Sequence, residues 1–140
     1  MGTWSHEPFG NDTASDWAYE FKEHDGYDVI EDAFDQIIDM TTEEFIDADL
    51  GCIAYAAAEV LAKSFTEEIA DNEYFPESVE KWLVQNKNKH NYALIPKALL
   101  ALNLLTSESS ELDELWQDSD DYDDWIRNID ELKETLKSKV

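Results

Sequence analysis

The sequence predicts an all-α fold: a single compact domain of about six to seven helices, spanning residues 1–140, around a central Ala-rich buried helix. Three observations carry this. Apolar residues recur at helical spacing in successive segments, and nowhere alternate in the manner of a strand. The chain has 140 residues, one ordinary domain's worth, with 43% hydrophobic and 12% aromatic residues to build a core. Its charge is uneven. Residues 1–50 hold 15 acids and one Lys, residues 51–105 hold 7 acids and 5 Lys, and residues 106–140 hold 12 acids and 4 bases. The nearly neutral middle is expected to form the core, covered by two acidic flanks.

The first helix is expected to start near Asn11, Asp12 or Thr13, each able to cap an N-terminus, and to stop at Gly26. Ala14, Trp17, Ala18 and Phe21 form its apolar face. The second runs from about Asp28 to Met40, with Val29, Ile30, Ala33, Phe34, Ile37 and Ile38 on one side and acids on the other. The third begins between Thr42 and Asp47 and continues to about Ile69. Its Ala54 and Ala56–Ala58 let neighbours approach closely, which places it at the centre. A loop over 71–77 leads, through Pro76, into a helix carrying Val79, Trp82, Leu83 and Val84. Gln85–Asn91 reads as a polar loop and is the only basic cluster. Helix five, Ile95 to Leu105, is apolar nearly all round and is expected to be core. A short helix over Glu111–Trp116 follows. The last runs from about Asp121 to Lys137, with leading acids and trailing lysines that suit the helix dipole.

The formal charge of -24, from 34 acids and 10 bases, repels itself and would repel phosphate. A nucleic-acid partner and an anionic membrane surface are therefore not expected. Nine of the ten bases are Lys and only Arg127 is Arg, an ordinary low-GC bacterial style rather than salt adaptation. The opening Met1–Phe9 lacks the basic and apolar regions of a secretory signal, and His6 stands where a myristoylation signal needs Ser or Thr. No apolar run approaches the roughly 20 residues of a membrane span. The expected location is the cytoplasm. The one cysteine, Cys52, lies in an apolar run and reads as a small buried hydrophobe.

No catalytic constellation is legible. Asp118–Asp124 resembles a calcium loop in composition, but Asp123 and Ile129 stand where an EF-hand needs Gly and Glu. His6, His24 and His90 share no metal-ligand spacing, so no metal is expected. Four glycines make no phosphate cradle, and no cofactor is expected. Trp4, Phe9, Tyr74, Phe75, Trp116 and Tyr122 fall at predicted ends or loops among acids. They read as pins holding those segments to the core; the alternative is a set of aromatic anchors for a basic protein.

The residues Met1-Gly2-Thr3-Trp4, Pro8-Phe9, Asn11-Asp12-Thr13-Ala14 and Asp16-Trp17 resemble the start of the bacterial domain-of-unknown-function family 4259. Asp47-Ala48-Asp49, Ser110-Glu111-Leu112, Glu114-Leu115-Trp116 and Trp125 extend the resemblance along the chain. Small residues, often Gly, are expected in that family around Ser5-His6-Glu7, where this chain is bulkier and charged. The resemblance implies a small helical domain and supplies no catalytic residues.

The function expected from charge is an acidic protein-binding module, of the immunity-protein or antitoxin kind, that inhibits a basic, nuclease-like partner. Its candidate contacts are Asp118, Asp120, Asp121, Asp123 and Asp124 with Trp116 and Tyr122, and Asp28, Glu31, Asp32, Asp35 and Asp39. The alternatives are a housekeeping domain whose acidity confers solubility, or a metal- or small-molecule-dependent enzyme with an unfamiliar site. The sequence sets no oligomeric state.

Overall fold

A computed structural model describes residues 12–22, 26–39, 46–65, 77–86, 89–108 and 110–139. Within them lie α1 (Asp12–Trp17), α2 (Asp28–Ile38), α3 (Ala48–Ser64), α4 (Glu77–Gln85), α5 (Ile95–Leu105), α6 (Glu111–Gln117) and α7 (Tyr122–Lys137), with 3-10 turns at Ala18–Lys22 and Tyr92–Leu94. The protein is all-α. Its one approach to β pairing among the described residues is an isolated parallel bridge between Ile46 and Ser110.

The Ala-rich α3 is central because its surface is small. It packs against each of the other six α-helices. Ala54, Ala56, Ala57 and Ala58 are fully buried, and a Cβ added at Gly51 would meet Leu105 and Leu112 side-chain atoms at 3.3 Å. Such close approach is available only where side chains are one carbon or none. Large side chains come from around α3: Phe34, Ile37, Trp82, Leu102, Leu105, Leu112, Trp125 and Ile129 are all buried. An edge-to-face aromatic chain runs from Trp17 through Phe21 and Trp82 to Tyr27, with ring centres 5.1, 5.2 and 5.0 Å apart. It fastens the first two helical segments to α4.

The first turn of α3 is capped from two directions. Asp47 accepts from the Asp49 N–H at 3.1 Å, and Glu111, the first residue of α6, accepts from the Ala48 N–H at 2.8 Å. The Glu111 N–H in turn reaches the Ile46 carbonyl at 3.0 Å. Two donors that the helix leaves unpaired are thereby satisfied.

Several sequence expectations change. The α3 helix starts at Ala48 and ends at Ser64, short of Ile69, where Ser64 bonds back to the Leu61 carbonyl and Phe65 closes a 3-10-type bond to Ala62. The first helix becomes 3-10 from Ala18 onward. Asn86, expected in a polar loop, is buried, and its side-chain amide donates to the Trp82 carbonyl at 3.0 Å. Of the four apolar residues named on α4, Val79, Trp82 and Leu83 are buried and Val84 is exposed. Helix α5 is not core all round: Ile95, Ala98, Ala101, Leu102 and Leu105 face inward, while Leu100 is 46% exposed. The expected plugs Trp4 and Phe9, the loop aromatics Tyr74 and Phe75, the Pro76 helix start and the end at Met40 lie outside the described residues. No described helix is long and apolar enough to cross a membrane.

Candidate functional site

The first acidic group sits on the turn between α6 and α7, and short-range bonds fix it. Ser110 caps α6 by accepting from the Asp113 N–H at 3.2 Å. Downstream, Ser119 donates its hydroxyl to the Trp116 carbonyl at 2.9 Å and accepts from the Asp121 N–H at 3.2 Å. Asp118, Asp120, Asp121 and Asp123 project from this frame as exposed residues. Asp124 is half-buried and pairs with Arg127 at 2.9 Å.

Beneath the turn lies a buried carboxylate that no sequence motif singles out. Asp113 is 5% exposed; it accepts from the Tyr122 hydroxyl at 2.9 Å and from the Gln117 amide at 2.6 Å. Two donors on one buried carboxylate meet the requirement that a buried charge be hydrogen-bonded. Burial raises the Tyr122 pKa above its ordinary value, and the hydrogen bond to Asp113 and the charges of Asp113 and Asp123 raise it further. The Tyr122 ring packs at 6.0 Å from Trp125, which stacks on Trp116 at 6.1 Å with ring planes 12° apart. Trp116 is buried and Tyr122 half-buried, and both pin the turn to the core. Trp125 is fully buried, and its indole N–H has no partner among the described residues.

The second group lies along α2. Asp28, Asp32 and Asp39 are exposed, whereas Glu31 and Asp35 are half-buried and already paired. Lys97, in the first turn of α5, reaches Glu31 at 2.9 Å and Asp35 at 2.8 Å. Its hydrogen bonds to Asp35 and then Glu31 raise the ammonium's pKa well above its ordinary value. Asp32 accepts from Gln36 at 3.2 Å. Helix α2 packs chiefly on α3 and α5.

A shallow open groove follows the outer face of α7, lined by Asp123, Ile126, Arg127, Asp130, Glu131 and Glu134. Among the described residues no three His, Cys, Asp or Glu side chains are grouped so as to hold a metal ion. Cys52 is a buried thiol.

Three roles here were not legible in the sequence. Lys97 as counter-ion to α2 and Glu111 as remote cap depend on partners distant in the chain, and Asp113 as buried acceptor depends on how the α6–α7 turn brings Tyr122 back to it. Glu111 and Ala48, for instance, are 63 residues apart. Only the Ser110–Asp113 cap had a local signal, a Ser followed three residues later by an acid.

No curated protein and no solved structure matches the chain significantly. A family model matches residues 2–128, from the opening motif through the first part of α7. On that match the chain belongs to the family described as Domain of unknown function (DUF4259).

Proposed function

We propose that this protein acts, as one domain over residues 1–140, as an acidic protein-binding module for a basic partner. The finer reading is an inhibitor of the immunity or antitoxin kind, covering the phosphate-binding surface of a nuclease-like protein. The observation that carries it is the set of Asp118, Asp120, Asp121 and Asp123, exposed on a turn held by hydrogen bonds and without a cation among the described residues. Among the described residues, Lys81, Lys97, Arg127 and Lys137 form ion pairs, each with a carboxylate outside this set. Against a net charge of -24, most carboxylates are left to act on whatever approaches.

Fixed carboxylates suit this task better than mobile ones, because less side-chain and loop freedom is lost on binding. Their field steers a basic protein and raises its association rate. Trp116 and Tyr122 contribute from beneath, by holding the turn in place.

The test is a pull-down from the native host at low salt, eluted with a salt gradient and identified by mass spectrometry. A single basic protein released at intermediate salt is the expected result. Replacing Asp118, Asp120, Asp121 and Asp123 together by Asn should then slow association with that protein at least tenfold and change dissociation less. A complex insensitive to salt would sink the electrostatic reading.

A further inference from the structure

Helix α5 carries two apolar stripes where a surface helix needs one. The inner stripe, Ile95, Ala98, Ala101, Leu102 and Leu105, is buried. On the opposite side Pro96, Leu99, Leu100 and Leu104 recur at i, i+3, i+4 and i+8. Pro96 and Leu100 are exposed and Leu99 and Leu104 partly so. Leu99 and Leu104 also pack against the core, so the apolar strip that folding did not require is Pro96 and Leu100, beside the exposed Asn103.

What borders the strip points to what covers it. Lys97 lies one turn before Leu100 and pairs with Glu31 and Asp35, so the strip runs beside the acidic face of α2. On that face Asp28, Asp32 and Asp39 neighbour the paired acids at helical spacing and have no cation among the described residues. Lys97 itself gives the pattern in miniature: a base flanking an apolar helix, docked on α2's carboxylates. A second copy would bring like faces of a chain at -24 together, which costs free energy.

We propose that the outer face of α5, with the acidic face of α2 beside it, docks an amphipathic helix of a basic partner protein. The partner's apolar side covers Leu100 and its neighbours, and its Lys or Arg residues pair with Asp28, Asp32 and Asp39. This rests on the acidic-module reading and adds to it a second surface, distinct from the α6–α7 turn, where hydrophobic contact selects among basic partners that charge alone would accept.

The test uses the full chain and two synthetic peptides of identical composition. One is a Leu/Lys helix of about 18 residues with one apolar face, and the other is shuffled to have none. Binding is followed by fluorescence anisotropy at low and high salt. The expected result is tighter binding of the amphipathic peptide, weakened about fivefold to tenfold by Leu100→Asp although that change adds negative charge. Leu100→Ser should act in the same direction, and Lys97→Gln, which frees Glu31 and Asp35, should tighten binding. Circular dichroism reports whether each variant keeps its helix content. Equal binding of both peptides, or undiminished binding by Leu100→Asp, overturns the docking face and leaves the acidic-module reading standing. No binding of either peptide at low salt overturns both. A dimer in sedimentation that Leu100→Asp dissolves makes a second copy the occupant and overturns the proposal.

Discussion

At the scale of single residues, the consequential groups are polar ones whose partners lie inside the fold. Tyr122 donates to a carboxylate that is 5% exposed, so Tyr122→Phe leaves Asp113 with one donor fewer and should cost about 1–2 kcal/mol in denaturant unfolding at neutral pH. The same bond sets an alkaline limit. The Tyr122 phenol has its pKa raised in the folded protein, first by burial and then by Asp113. Tyr27 is raised too, by burial, opposed in part by a hydrogen bond with Ser64. A raised phenol pKa means the folded state holds its proton longer than the unfolded state does. Its contribution is fully present below the ordinary value of 10.0 and is lost as pH rises through the folded pKa. Unfolding monitored between pH 9 and pH 12 (roughly one unit below and two above the free phenol) should show stability falling at the alkaline end, with a shallower fall in Tyr122→Phe. An unchanged slope in that variant would remove Tyr122 from the account.

At the scale of elements, α3 governs the packing. Gly51→Ala gains about 1 kcal/mol of helix propensity and meets leucine side chains at 3.3 Å, so it should be near neutral. Gly51→Leu has no room against Leu105 and Leu112 and should lose about 1–3 kcal/mol or more by thermal or denaturant unfolding. Glu111→Ala should cost about 1–2 kcal/mol by uncapping α3 from outside that helix. Periodicity made the helices legible: α2 and α7 follow stripes that repeat at 3.6 residues. Composition made α3's position legible, since a run of alanines has little use on a surface. The orientation of α5 was not legible, because a helix apolar on all sides gives no sign of which side faces out. Trp116 read as a pin to the core and is buried there, but its stacking on Trp125 was not legible, as acidic neighbours in sequence do not show which way an indole turns. The acids of α2 and of the α6–α7 turn were readable as charge. That Lys97 holds two of them was not, because a lone lysine in an apolar helix names no partner.

At the scale of the whole molecule, self-repulsion among 34 acids opposes folding, and the described cations relieve little of it. Added salt should therefore raise Tm by scanning calorimetry, since it screens the net repulsion more than it weakens a few surface pairs. Lys97→Gln should lower Tm at low salt, with the deficit shrinking as salt rises; a deficit constant across salt would point to packing of the lysine stem instead. One tie within the fold also bears on how the chain is made. The cap that Glu111 places on Ala48 joins residues 63 apart, and at about 5–20 residues per second that stretch takes several seconds to translate. Until Glu111 is made, Asp47 is the only one of the two caps on the first turn of the central helix. A nascent chain arrested before residue 111 should leave that turn open to limited proteolysis, and release past α6 should close it, so the emergence of α6 is also the step that seals the centre.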